Sequence, residues 1–394
     1  MVFEAKRVVG IDPGTKSFDV VCVEGSRVVY EKSIDTVELV KKPELLIDAV
    51  NEANADYVVA PSGYGVPVTR GDEVFDAEKF TIEILLLSSE EDIRRGFELG
   101  EIGAQVYVAM AKLAKHIVGS YGSRVFFIPS IVLLPTIPFY RKLNKIDMGT
   151  ADKLAATFIA IHTFAKDKGI DYSDVNIIVA ELGYGYNAAI AVENGEIVDA
   201  VGGTIASIGT LTAGSLDLEI VAHAGKWERW DVFYGGIFHF AKAYDLNIFV
   251  KAYENSEEPL ASLFTSFVEG IAKDIAKVKT VFKSPRKVET IVLTGRHSKV
   301  PLVVKLLREY LPDMEIRPCG MLEGASISKE AGQGYAAIGE GLAGGYFSKL
   351  VKHMGIDKAC GTVADYVAHP RAEEFKNNLV KRYKELVKNP RLCK

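Results

Sequence analysis

The sequence predicts an α/β protein made of two similar lobes, each built on a mixed sheet. Three observations carry this expectation. A strand, a polar glycine turn, a second strand, an acid–glycine turn and a third strand occur twice, starting from turns at Asp12 and Glu181, 169 residues apart. An internal repeat of that kind implies two similar units. β-Branched runs alternate with segments of helical spacing along the rest of the chain. The 35 glycines among 394 residues exceed the average share of ~7%, and they cluster beside apolar runs instead of forming linkers.

Taken in order, Arg7–Ile11, Phe18–Val23 and Arg27–Ile34 read as three strands, joined by Asp12–Ser17 and by Glu24-Gly25-Ser26. Val37–Ala53 has helical spacing and Asp56–Ala60 returns as a strand. A Gly-rich loop over Ser62–Phe75 leads towards a long helix over Gly100–Val118, a strand at Arg124–Ile128 and a Pro-rich segment. Gly149–Asp167 is a helix with Leu154, Phe158, Ile161 and Phe164 on its apolar positions. The opening pattern then repeats as strands Val175–Ala180, Ala188–Val192 and Glu196–Val201. Helices over Trp227–Tyr244 and Leu260–Phe282 follow, with a buried-type strand Val288–Leu293, a helix Val300–Tyr310 and a Gly/Ala-rich helix Ala331–Ala343. A charged amphipathic helix near Ala372–Val387 closes the chain.

Composition narrows the function. Fifty-two acids against 47 Lys and Arg give a net charge of -5, a poor footprint for nucleic acid. The longest apolar stretch, Phe126–Tyr140, is short and broken by three prolines, so no membrane span is expected. The amino terminus leads straight into a strand and shows no signal peptide. Cys22, Cys319, Cys360 and Cys393 form no metal-type pair and read as reduced thiols of a cytoplasmic protein. Two glutamines amid abundant Lys and Glu lean towards a thermophilic source.

The glycine clusters carry the chemistry. In Gly10-Ile11-Asp12-Pro13-Gly14-Thr15-Lys16-Ser17, Gly14 lets backbone N–H groups approach an anion, and Thr15 and Ser17 add hydroxyl donors. Asp12 ends a buried strand, where a carboxylate can hold hydrated Mg²⁺. The same letters also make an ordinary turn. Gly183-Tyr184-Gly185-Tyr186-Asn187-Ala188 has the letters of a dinucleotide fingerprint, but that fingerprint requires a following helix. The alternating sequel predicts a hairpin instead, a second phosphate loop with Gly183, Tyr184, Gly185 and Asn187 as contacts, joined by Gly203 and Thr204. A buried strand running into Thr294-Gly295-Arg296-His297-Ser298 offers open N–H groups to a nucleotide, with Ser298 as helix N-cap; a plain βα turn reads alike. Small residues in Ala331–Gly339 permit close helix packing.

This order of segments resembles the sugar kinase, heat-shock ATPase and actin (ASKHA) superfamily over roughly residues 7–345. The resemblance implies two ribonuclease H-like (actin-like ATPase) lobes around an interdomain nucleotide cleft, with ATP and Mg²⁺ as cofactors. Residues 1–150 would form the first lobe, 151–345 the second and 346–394 a helical tail. Glu181–Gly185, Gly195-Glu196-Ile197-Val198-Asp199 and Thr210–Asp217 are similar to acetate and butyrate kinase segments. The whole chain resembles an uncharacterised archaeal family labelled predicted butyrate kinase. Two positions differ from acetate kinases: no arginine stands at Thr212 or Ala213, where one helps hold the transferred phosphoryl group, and Glu181 replaces an Asp or His.

Phosphoryl transfer needs positioning and charge neutralisation. Asp12, with Glu181, is expected to reach the metal through water, and Lys16 to neutralise phosphate. A carboxylate acceptor is already ionised at neutral pH but needs a cation against the γ-phosphate; Arg70 and Arg141 are the candidates. Asp147 and Asp152 flank the start of a helix, where the dipole alone favours acids; with an alcohol acceptor one becomes a general base. The expected activity is an ATP-dependent small-molecule kinase forming an acyl phosphate from a short-chain carboxylate. An ATPase acting as activator or switch for a partner protein, and a non-catalytic nucleotide-binding protein, are the alternatives. The acyl-kinase resemblance implies a homodimer.

Overall fold

The β-branched opening of the chain forms a meander. β1 (Arg7–Pro13), β2 (Ser17–Glu24) and β3 (Arg27–Asp35) pair antiparallel, and Gly25 turns the second corner at φ +57°, a conformation that favours glycine. β4 (Tyr57–Val59), β5 (Thr69–Arg70) and β6 (Val125–Phe127) complete a sheet of order β3-β2-β1-β4-β6-β5. A second sheet holds β7 (Ile177–Leu182), β8 (Asn187–Glu193), β9 (Glu196–Gly202), β10 (Thr290–Thr294) and β11 (Glu315–Pro318) in the order β11-β10-β7-β8-β9. Apart from the short edge strand β5, the two sheets share one topology. The first strand is central, its hairpin partners lie on one side, and two parallel strands lie on the other. The repeat in the sequence is a repeat of fold, α/β with mixed sheets as expected.

This computed structural model describes residues 6–283 and 288–393; the leader reading at residues 1–5 lies outside them. The chain forms two compact units. One comprises the described residues up to Val175, the turn Gly195–Ile197 and the chain from Gly320 onward; the other comprises Asn176–Asn194 and the described part of Val198–Cys319.

In the first unit the helix Glu330–Leu342 lies directly on β1. A Cβ on Gly10 would come within 2.1 Å of the Ala336 nitrogen, and one on Gly334 within 2.0 Å of the Ala155 carbonyl in the helix Ala151–Lys168. Glycine is the only residue that admits such backbone contact, so the small-residue helix packs as its sequence predicts. The terminal helix Glu373–Leu386 and the segment after it fold back onto this unit. Phe75 donates to the Leu386 carbonyl at 3.0 Å, and Arg391 pairs with Glu73 at 3.3 Å. In the second unit, Ile178, Ala180 and Ile291 on one sheet face pack with Phe264, Phe267 and Ile271 of the helix Leu260–Lys279. Burial of this apolar surface supplies the main stabilisation of such a core.

The structure corrects four readings. The helix expected over Val37–Ala53 is two, Thr36–Lys41 and Glu44–Glu52, parted at Pro43, whose ring disfavours helical geometry in the residue before it. Trp227–Tyr244 is irregular apart from a turn at Arg229–Phe233 and a short helix Ile237–Ala241, because Gly235 at φ +89° breaks it. Cys360 and Cys393 are not free thiols but a disulfide with Cα atoms 5.0 Å apart. Ser298 is not a helix N-cap: the helix begins at Pro301, and the Ser298 hydroxyl donates to the Gly295 carbonyl at 2.6 Å. Among the described residues no helix is long and apolar enough to cross a membrane.

Candidate functional site

Hairpin register builds one candidate site wholly inside the first unit. β1 and β2 pair so that Asp12 faces Asp19 across the strands. Both carboxylates are buried, at 2% and 1% exposure, and like charges directly opposite destabilise a sheet. The repulsion is relieved by Lys329, the residue just before the helix Glu330–Leu342. Its ammonium lies 2.7 Å from Asp12 Oδ2 and 3.8 Å from Asp19 Oδ2, and donates to the Ser17 carbonyl at 3.1 Å. Its backbone N–H donates to Asp19 Oδ2 at 2.8 Å, while Ser33 donates to Asp19 Oδ1 at 2.7 Å. Gly14 makes room for this arrangement, since a Cβ there would lie 2.4 Å from the Lys329 nitrogen.

Lys329 is delivered by an anchored loop. Glu31 on β3 accepts bonds from the backbone N–H groups of Ser326, Ile327 and Ser328 and from both serine hydroxyls. Burial works against that carboxylate, but the bonds from Ser326 and Ser328 outweigh it and hold its pKa down at about 2. At Asp12, burial pushes the carboxyl up to about 6 against the pull of Lys329, and the charges of Asp152 and Asp19 add to the rise. Burial opposes the charge on Lys329, yet Asp12 and Asp19 raise its pKa.

Asp152 also belongs to this neighbourhood. Its carboxylate takes a short bond from Thr150 and pairs with Lys153 at 2.6 Å. Asp147 accepts the Gly149 N–H at 2.7 Å, and burial raises its pKa to about 6. The remaining predicted residues of this unit sit elsewhere in it. Lys16 is exposed and pairs with Asp35 at 3.2 Å, next to the exposed Thr15. Arg70 stands on the edge strand β5, three places from β1, with its guanidinium 6.0 Å from the Phe126 ring centre. Arg141 lies over Tyr140 at 5.6 Å.

The second hairpin is built in the second unit. β8 follows Gly183–Tyr186 as a strand, and Gly183 N–H donates to the Tyr186 carbonyl at 3.0 Å, so the hairpin reading holds over the dinucleotide fingerprint. Glu181 registers with Thr294 of β10. A Cβ on Gly295, at φ +83°, would lie 2.6 Å from Glu181 Oε1. The Thr294 hydroxyl and both polar atoms of the Asn187 amide are buried without a hydrogen-bond partner among the described residues. Groups of that kind in a native fold call for a ligand or water. Tyr184 is fixed by its carbonyl, which accepts a short bond from Thr210 and faces His297 at 3.3 Å. Burial keeps His297 neutral, with a pKa near 4. Gly185 accepts from Leu211 and Thr212, so the segment similar to acetate kinases braces this turn. Gly203 takes φ +60°, while Thr204 and Arg296 are exposed.

Among the described residues no group of three or more His, Cys, Asp or Glu is arranged to hold a metal ion. Mg²⁺ does not require such a cage, because it keeps most of its water and takes one or two carboxylates plus phosphate oxygens. Asp12 fits that demand: its Oδ1 is buried and has no hydrogen-bond partner among the described residues. Sequence reasoning missed Asp19 and Lys329. Asp19 carried a signal, as an acid inside the apolar strand Phe18–Val23; Lys329 carried none.

A family profile described as "Protein of unknown function (DUF1464)" matches residues 10–369. The probable butyrate kinase 2 of Caldanaerobacter subterraneus is 21% identical over 313 residues, spanning 73% of this chain and 85% of that protein. Butyrate kinase 1 of Clostridium acetobutylicum is 22% identical over 318 residues, with the same shares of the two chains. The crystal structure of a propionate kinase from Francisella tularensis matches with a TM-score of 0.55 at 12% identity, over 84% of this chain and 98% of that one. At such identity the likeness shows the fold, that of the actin-like ATPases.

Proposed function

We propose that this chain, which belongs to the DUF1464 family, is an ATP- and Mg²⁺-dependent kinase that phosphorylates a short-chain carboxylate. The observation that carries the reading is the buried Asp12–Lys329–Asp19 set on the first glycine hairpin, with one Asp12 oxygen left without a hydrogen-bond partner among the described residues. The similarity to butyrate kinases supports the acceptor class.

In this reading Asp12 would hold Mg²⁺ through water, and Glu181 is the candidate for a second carboxylate. Mg²⁺ supplies charge neutralisation on the phosphates when bound. The first hairpin, Gly14 to Ser17, and the second, with Gly183, Tyr184, Gly185 and Asn187, bind phosphate oxygens. Gly203, Thr204, Gly295, Arg296 and Ser298 extend the nucleotide contacts. Arg70 and Arg141 offset the acceptor's charge. Asp147 and Asp152 are the bases available to an alcohol acceptor, and burial already lifts Asp147 towards the pH at which a base works well. The enzyme acts as a dimer, as the resemblance to acyl kinases implies.

The test is acyl phosphate trapping with hydroxylamine, using ATP, Mg²⁺ and a panel of short-chain acids. Turnover with at least one acid, and a loss of about a hundredfold or more in D12N, is the expected result. D12N turning over at the wild-type rate removes Asp12 from the site. Threonine and alanine at 212 and 213, where acetate kinases carry an arginine, favour a second reading as an ATPase switch. ATP hydrolysis that no acid stimulates would decide for it.

A further inference from the structure

A lysine ammonium has three hydrogens, and the fixed surroundings of Lys329 account for two. Asp12 Oδ2 at 2.7 Å and the Ser17 carbonyl at 3.1 Å take one each; Asp19 Oδ2 at 3.8 Å is beyond hydrogen-bond reach. The side chain as a whole keeps 23% exposure. It sits against Gly14, inside the turn whose N–H groups are the natural seat of an anion. Both ends of the residue are held, the backbone N–H by Asp19 and the ammonium by Asp12 and Ser17. A cation held this way loses little side-chain freedom when it meets a ligand. Lys16 has the opposite character: it is 47% exposed and already paired with Asp35.

We infer that Lys329, rather than Lys16, is the cation that meets a phosphate oxygen at the first hairpin, in a position fixed by Asp12, Asp19 and Ser17. The inference rests on the proposed nucleotide binding and adds a residue from the far end of the chain to that turn. Gly14 acquires a second duty, since any side chain there displaces the ammonium. Asp19 acts through Lys329 and is a positioning residue.

Calorimetric titration of the full chain with ATP, ADP and adenosine, in Mg²⁺, tests this in the wild type, K329Q, K329R and K16M. A charge-assisted hydrogen bond corresponds to roughly tenfold or more in affinity. The expected result is a loss of about that size for ATP in K329Q, a smaller loss in K16M, partial recovery in K329R, and adenosine binding by K329Q equal to wild type. ATP affinity unchanged in K329Q, or a larger loss in K16M, overturns the inference while leaving the nucleotide reading standing. Adenosine weakened as much as ATP in K329Q overturns it too, because the lysine then only holds the fold. A wild-type chain that binds no ATP defeats the nucleotide reading itself, and the inference with it.

Discussion

Glu31 is a point where one carboxylate organises a whole loop, and E31Q removes its charge. Five donors from Ser326, Ile327 and Ser328 converge on its two oxygens, and a glutamine there turns an NH₂ towards some of them. The folded pKa falls from 4.5 to about 2. At ~1.4 kcal/mol per pKa unit this sets an upper bound of about 3 kcal/mol. The bonds to Ser326 and Ile327 are exposed, and solvent screening reduces the expected contribution to about 1–2 kcal/mol. Because the folded pKa lies below the unfolded one, the contribution is complete above pH ~4.5 and disappears as pH falls towards ~2. Urea unfolding of wild type and E31Q should therefore differ by about 1–2 kcal/mol at pH 7, with the gap closing progressively below pH ~4.5. Amide exchange at Ser326–Ser328 should quicken in E31Q at neutral pH. A gap that stays constant from pH 7 to pH ~3, or no gap at all, would refute the assignment of that charge to the loop.

Two further outcomes follow from packing and cross-linking. G10A drives a methyl group to 2.1 Å from the Ala336 nitrogen, and backbone cannot yield there; overpacking of this kind costs roughly 1–3 kcal/mol or more, so its thermal midpoint should fall clearly below wild type, and an unchanged midpoint would contradict the helix-on-strand contact. C393S opens the link between Cys360 and Cys393, a separation of 33 residues, worth about 3–4 kcal/mol by loop entropy. The segment after Leu386 should become the first site of proteolysis, and equal cleavage rates in wild type and C393S would show that the disulfide does not hold it.

Much of the scaffold was legible. Asp12 and Glu181 announce two hairpins because glycine turns between β-branched runs leave the chain few other courses. The absence of a helix after Ala188 was enough to reject a dinucleotide fold. Asp19 was within reach: a hairpin turning about Gly14–Ser17 sets Asp12 opposite Asp19 by counting alone. Lys329 was not, because it enters the turn from a loop more than 300 residues away in sequence, held there by Glu31 and Asp19. The disulfide escaped for a similar reason. Cys360 and Cys393 have no local motif, and the helix Glu373–Leu386 folds the chain back between them.

Local chemistry by itself determined the repeated strand–turn–strand grammar, the α/β class, the turns built on glycine and the presence of a carboxylate at Asp12. Such features depend on backbone freedom and side-chain period over a few residues, which a sequence states directly. The tertiary structure alone decided which charge stands beside which. It set Lys329 against Asp12, sent Lys16 to Asp35, and left the buried Thr294 hydroxyl and Asn187 amide without hydrogen-bond partners among the described residues. Those outcomes rest on distances between segments remote in sequence, and electrostatic energy in a buried site changes several-fold with a few ångströms and with the exclusion of water.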